Sequence, residues 1–349
     1  MVRLRDIADR AGTSVSTVSI VLSDRPSPVR ISQATRQAVL DAARELGYTP
    51  NLAARRLRTN GAPSRTIVLA IAYPMDSRLS LISRVVAGVQ RQITRVRDEL
   101  SDVDATMQLI VETFELGKLH ELRGLSEPFW FNGLLITNTS PEDDRYLEAL
   151  TPDLPIVLFL RYSRHSTVNS DSVSVGRLAA EHLVGLGHRR IGLVYPSTGS
   201  QAQALRIQGY REVLQGAGLA SDLEAVAPRV DWAAGAHRAA QSLLDQPSDR
   251  RPTAIFATSD LLAIGVMRAV RDRGLRVPED VSIVGCDDAE FAAYQDPPLT
   301  TVRIPIEDMA ARATSILLDL IHQRVTPPVQ EMVPSSLVVR RSTGPPGAP

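Results

Sequence analysis

The sequence predicts a small all-α head followed by a larger α/β body of doubly wound parallel sheets. Three observations carry that expectation. Residues 1–60 show apolar positions at helical spacing only, whereas from Thr66 onward short Val/Ile/Leu runs alternate with helical stretches. The charge divides at the same place. Residues 1–60 hold ten arginines against five acidic residues, a net +5, while the whole chain sums to zero. A basic head on an acidic body is the footprint of a nucleic-acid-binding module joined to something else.

A chain of 349 residues is long enough for two or three domains, each with its own core. The single cysteine, Cys286, excludes a disulfide framework and suits a reducing compartment. Met1–Asp6 lead into an amphipathic stretch without an apolar signal core, and no apolar run reaches membrane-spanning length, so a soluble cytoplasmic protein with no membrane partner is expected. No C-x-x-C, H-E-x-x-H, G-x-S-x-G or P-loop string occurs. The expectation is a protein with no catalytic residues, no metal and no cofactor.

In the head, Leu4, Ile7, Ala8 and Ala11 form one helical face, and Gly12-Thr13-Ser14 breaks it. A second short helix follows, with Val15, Val18 and Leu22 as apolar positions and Ser14 as its N-cap. A third runs from about Ser32 to Leu46, with Ala34, Val39, Ala42, Ala43 and Leu46 apolar and Gly47 as its stop. Helix, tight glycine turn and helix make a helix-turn-helix, whose second helix enters the major groove of DNA. Residues 1–50 are taken as this head and 51–65 as a joint. Asn51–Arg58 has helical composition but is too short to be stable alone, and Thr59–Ser64 reads as a flexible linker.

The body, 66–340, carries candidate strands at Ile67–Ala72, Gln108–Glu112, Gly133–Thr137, Ile156–Leu160, Ile191–Tyr195, Ala254–Ala257, Ser282–Gly285 and Thr301–Ile304. Helical stretches such as Ala179–Leu186, Ala204–Ala217, Leu261–Arg273 and Glu307–Gln323 lie between them. Continuous apolar runs separated by helices indicate parallel sheets covered on both faces, and such sheets bind ligands beyond the carboxyl ends of their strands. Three residues suit such a place. Arg206 can fork two hydrogen bonds onto vicinal hydroxyls or a carboxylate, Asp287 can accept from two hydroxyls, and Trp232 offers an aromatic face to a sugar ring or a base. Gly187-His188-Arg189-Arg190 reads as a helix stop and turn, with His188 structural. Ser342–Pro349, rich in glycine and proline and without heptads, is expected to be part of a flexible tail (341–349), so a coiled-coil tetramer is not expected.

The string Asp6-Ile7-Ala8-Asp9-Arg10-Ala11-Gly12-Thr13-Ser14-Val15-Ser16-Thr17-Val18-Ser19 resembles the heads of the lactose-repressor/galactose-repressor (LacI/GalR) family, which read D-V-A-x-x-A-G-V-S-x-x-T-V-S. The likeness continues through Ile31–Arg36 and Glu45–Asn51. In the body it runs through Gly176–Leu183, Gly187–Gly192, Arg206–Tyr210, Pro252–Phe256, Gly274–Gly285 and Pro298–Val302. The resemblance implies a sequence-specific transcriptional regulator that acts as a repressor. Its body is then two periplasmic-binding-protein-like lobes, both discontinuous, roughly 66–162 plus 290–320 and 163–289 plus 321–340.

The resemblance also implies site residues. Val15, Ser16 and Ile20 take the base-reading positions, and Ser14, Thr17, Ser19 and Asn51 contact phosphates or cap. Arg5, Arg30 and Ala54 complete the DNA contacts. Residues 51–58 become a hinge helix in which Leu57 is a wedge in the minor groove and Arg58 reads beside it, the kink being offset by extra contacts. Asp171, Arg177, Arg206, Trp232, Ser259 and Asp287 fall in the effector pocket or on its edge, with Leu79, Ser80 and Phe159 from the other lobe. The sequence departs from the family at Ile20, often polar or basic in relatives, at Ser259, often asparagine, and in the longer, proline-rich 24–30 loop. A homodimer on a near-palindromic operator is implied, with a small-molecule effector shifting its affinity by linkage. A sugar or sugar derivative is the expected effector and a purine or nucleoside the alternative. A sugar-binding protein without a DNA role is the alternative of another class, set against the basic head.

Overall fold

The computed structural model describes residues 4–23, 31–46, 66–99, 106–122, 125, 131–152, 154–197, 200–228 and 231–347. The chain forms two compact units, Met1–Ser64 and Arg65–Pro349.

In the first unit α1 (Leu4–Arg10), α2 (Val15–Ser23) and α3 (Gln33–Glu45) enclose a small core of Ile7, Ala8, Val18, Val21, Val39, Ala42 and Ala43. Gly12 turns the chain at φ +63°, a conformation that costs glycine little. Ser14 caps α2, its Oγ accepting from Thr17 N at 3.1 Å, and Ser32 caps α3 the same way through Thr35 N. Val15 faces solvent and Val21 is buried, so the apolar face of α2 runs through Val18 and Val21. Ala34, expected on the apolar face of α3, is exposed.

The second unit holds two six-stranded sheets. The first comprises β1 (Thr66–Pro74), β2 (Thr106–Phe114), β3 (Gly133–Thr137), β4 (Ile156–Phe159), β5 (Ser166–Ser170) and β11 (Gln330–Val333). Their order is β11-β5-β4-β3-β1-β2, parallel throughout. The second comprises β6 (Ile191–Pro196), β7 (Glu224–Ala227), β8 (Ala254–Ala257), β9 (Ser282–Asp287), β10 (Thr300–Arg303) and β12 (Ser336–Val338). Its order is β12-β10-β9-β8-β6-β7, parallel except at β12. Central strands such as β3, β4 and β8 are buried along their whole length, as the unbroken apolar runs require. The helices are α4 (Leu79–Glu99), α5 (Pro141–Ala149), α6 (Ser172–Gly185), α7 (Gln201–Gly216), α8 (Trp232–Leu244), α9 (Asp260–Asp272) and α10 (Ile306–Ile321).

The lobe boundaries expected from sequence are corrected. Ser166–Ser170 and Gln330–Val333 join the first sheet, while Thr300–Arg303 joins the second. The chain therefore passes between sheets after β5, after β10 and between β11 and β12. The sequence Ser-Thr-Val-Asn-Ser of β5 carries no apolar run, which hid the first crossing. The tail is also corrected. Ser342 is buried, its Oγ donating to Ile283 O at 2.6 Å and accepting from Thr300 N at 2.8 Å. Gly344 O lies 2.9 Å from Nε2 of buried His188 and accepts from Ser282 Oγ at 3.0 Å. Residues 341–347 are thus tied to β9 and β10 by polar groups whose burial demands partners, a pattern that composition does not reveal. Burial holds the His188 imidazole below its ordinary pKa and hence neutral.

Candidate functional site

A cavity of about 140 Å³ opens between the lobes at the carboxyl ends of both sheets, where open α/β sheets place their ligands. The first lobe contributes turns: Ser77 and Arg78 after β1, Asn138–Ser140 after β3, and Leu160–Arg161 after β4. The second contributes helix starts: Ser200 and Gln203 at α7, Trp232 at α8, and Thr258–Ser259 before α9.

Arg206, on α7, is aimed here because α6 and α7 cross at backbone contact. A Cβ on Gly176 would stand 1.9 Å from Arg206 O, and one on Gly209 would stand 2.0 Å from Val173 O. Arg206 is 5% exposed, yet among the described residues its side chain has one hydrogen bond, from Nη1 to Thr258 O at 3.1 Å, and its Nε has no partner. Buried Gln203 likewise has an unpaired Nε2. Each unsatisfied buried donor costs about 1–3 kcal/mol, which a hydroxylated or carbonyl-bearing ligand recovers.

Arg161 is buried on the facing wall. Its Nε donates to Thr139 Oγ1 at 2.7 Å, its Nη2 to Thr139 O, and its Nη1 to Ser200 Oγ across the cleft at 3.3 Å. Asp287 closes β9 with φ +117° and is followed by Asp288 at +51°. Backbone held in that region costs about 1–3 kcal/mol and tends to mark functional turns. The Asp287 carboxylate accepts from Arg78 Nη1 at 2.7 Å, and the Arg78 guanidinium lies 5.0 Å from the Trp232 ring centroid. Behind it, burial and neighbouring Asp287 push the Asp260 carboxyl up to about 7, although Thr301 Oγ1 and Ala289 N donate to it.

Of the residues singled out from sequence, Arg206, Trp232 and Ser259 line the cavity, and Asp287 meets it through Arg78. Ser259 also caps α9, accepting from Leu262 N at 3.3 Å. The others lie elsewhere. Phe159 is wholly buried in the core and Leu79 and Ser80 are exposed on the first turn of α4. Asp171 caps α6 through Ser174, whose hydroxyl and backbone N–H hold its carboxyl below the usual range. Arg177 pairs with Glu212 at 2.6 Å on the outside of α6 and α7. Sequence reading missed Arg78, Arg161 and Gln203. Arg161 directly follows the expected strand 156–160, so the carboxyl-end rule applied to that strand would have found it.

In the head, Val15 and Ser16 are exposed at the start of α2 and Arg5 on α1, while Thr17, Ser19 and Ile20 are half-buried. Arg30, Asn51, Ala54, Leu57 and Arg58 lie outside the described residues. Among the described residues no helix is long and apolar enough to cross a membrane.

A helix-turn-helix unit and a two-lobed unit with a polar cleft, carried on one chain, define the class of DNA-binding regulators. Residues 3–51 match the bacterial regulatory proteins of the lacI family, and residues 180–343 match the periplasmic binding protein-like domain. The chain is 34% identical over 348 residues to the HTH-type transcriptional regulator CelR of Thermobifida fusca, covering 97% of both chains. It is 31% identical over 350 residues to the HTH-type transcriptional repressor CytR of Escherichia coli (strain K12), covering 97% of this chain and 96% of that one. The solved transcriptional regulator CelR–cellobiose complex superposes with a TM-score of 0.68 at 30% identity, over 98% of this chain and 100% of the other. The lac repressor dimer bound to operator and the anti-inducer ONPF gives 0.69 at 27% identity, over 98% and 99%. The chain belongs to the LacI family of transcriptional regulators; it is a DNA-binding regulator and not an enzyme.

Proposed function

We propose that this regulator is a cytoplasmic homodimeric repressor whose affinity for a near-palindromic operator is shifted by a carbohydrate bound in the interlobe cleft. The observation that carries the reading is the set of polar groups around the cavity: buried Arg206 and Gln203 with unpaired donors, beside the Trp232 ring. Planar guanidinium forks and aromatic faces are the means by which proteins hold vicinal hydroxyls and sugar rings. The cellobiose complex of a relative supports the same class of ligand. On the DNA side the reading assigns Val15, Ser16 and Ile20 to bases, Ser14, Thr17, Ser19 and Asn51 to phosphates or to capping, and Leu57 with Arg58 to the minor groove. Arg5, Arg30 and Ala54 complete that surface.

The test is a thermal-shift panel of glucose, ribose, maltose, cellobiose and adenosine, followed by a gel shift on DNA flanking the chain's own gene. A saccharide that binds the native state is expected to stabilise it by about 2.7 kcal/mol at 100 times its Kd and to change operator affinity. In Arg206→Ala the operator should still be bound but the saccharide response lost. A shift with adenosine alone would replace the carbohydrate reading with the nucleoside one, for which the Trp232 face is the supporting feature.

A further inference from the structure

The polar groups best suited to a polyol are already engaged by a side chain of the facing lobe. Arg78 reaches from the turn after β1 to Asp287 at the end of β9, both largely buried, at 2.7 Å. Its guanidinium simultaneously lies 5.0 Å from the centre of the Trp232 ring at the start of α8. A planar cation bonded to a carboxylate and stacked on an aromatic face imitates the two contacts a sugar makes, a hydroxyl on the carboxylate and a ring on the indole. The side chain also takes up space. The cavity it lines holds about 140 Å³, against about 300 Å³ or more for typical small-molecule sites.

The contact can be released without parting the lobes. Arg84, six residues further along the chain, donates from Nη1 to the backbone O of Asp287 at 2.8 Å and from Nη2 to Ile304 O at 3.3 Å. It also forks onto both carboxylate oxygens of Glu307, at 2.6 and 2.8 Å. Arg84 therefore fixes the backbone of Asp287 while Arg78 holds its carboxylate. One arginine is a structural tie and the other is in the ligand's place.

We propose that Arg78 is a resident occupant of the effector site, a strap that the effector must displace from Asp287 and Trp232, and that it sets the apparent affinity and admissible size of the ligand. The proposal rests on the interlobe cleft being the effector site. A strap in place about nine-tenths of the time raises the apparent Kd about tenfold, because only the strap-free fraction accepts ligand.

The experiment has a ligand-free arm and a ligand arm. The sequence contains two tryptophans, so Trp130→Phe leaves Trp232 as the only emitter. In that background Arg78→Met, which keeps an apolar stem, is expected to roughly double acrylamide quenching of Trp232, and Arg78→Lys to fall between. Quenching unchanged in both variants overturns the strap. In titrations with glucose, maltose and cellobiose, Arg78→Met is expected to bind about tenfold more tightly than the parent, with the larger gain for the disaccharides. Equal or weaker binding overturns the proposal and makes Arg78 an ordinary ligand contact or a bystander. If none of the three sugars binds either protein, the carbohydrate reading fails, and the strap stands or falls on the quenching arm.

Discussion

The two walls of the cleft are held by different physics. On the second lobe, helix starts project into the cavity from α7, α8 and α9, and Arg206 is placed by a helix crossing so close that Gly176 and Gly209 have no room for a Cβ. On the first lobe the wall is made of turns, whose conformation is fixed by side-chain hydrogen bonds such as those of Arg161 to Thr139 and of Asp143 to Ser140, Gly117 and Leu119. Backbone-on-backbone packing admits one geometry, whereas a polar network can exchange partners for those of a ligand. The second wall is a fixed template and the first is the adjustable one.

The largest expected effect comes from breaking the template. Gly176→Ala puts a methyl 1.9 Å from Arg206 O and 2.7 Å from Tyr210 N. Overpacking against backbone is expected to cost about 3 kcal/mol, read as a lower midpoint in urea unfolding with an unchanged slope. Loss of saccharide response should accompany it, since α7 must move away and takes Arg206 with it. A full-length protein of wild-type stability would remove the argument for a rigid wall.

That wall was also the legible one. Arg206, Trp232 and Asp287 carry side chains suited to a ligand near helix starts and strand ends, where the carboxyl-end rule looks for one, and the family resemblance added Ser259. Phe159 failed because it lies on the last residue of a strand whose side chains are all buried, and the polar residue two positions later, Arg161, is the one that faces the cavity. Arg177 and Asp171 are polar and near the right place in the chain, but helix geometry turns them onto the outer α6–α7 surface and the cap of α6. The strands missed, β5, β7, β11 and β12, are short and polar or on sheet edges, where period and composition carry little signal.

An intermediate effect is expected from pH. The Asp260 carboxyl lies at about 7 in the folded protein, against an ordinary value of 3.8. The folded state thus binds this proton more tightly than the unfolded chain, so the stability it contributes is complete below pH 3.8 and lost as pH rises through 7. Asp260→Asn, which cannot titrate, should flatten the fall in melting temperature between pH 6 and pH 8 relative to wild type. Burial also keeps His182 and His188 neutral, but they are present in both proteins and cancel in the difference. An identical pH slope in the two proteins would contradict a raised Asp260.

The smallest effect sharpens the boundary of the template. Arg177→Ala removes an exposed ion pair with Glu212, worth less than about 1 kcal/mol. It should leave saccharide affinity within twofold of wild type by calorimetry. A tenfold loss would bring Arg177 back into the effector site.

The placement of β11, β12 and Ser342 has a consequence for the order in which the protein is made. The first sheet receives Gln330–Val333 at one edge, and the second receives Ser336–Val338 beside β10 and Ser342 beside Ile283. Both lobes therefore wait on residues beyond 329, while the helix-turn-helix unit closes within the first few dozen. On the ribosome a DNA-reading head can be complete well before either half of its sensor, since domains fold as units in the order they emerge. Nascent chains stalled before residue 330 should carry a folded head on an unfinished body.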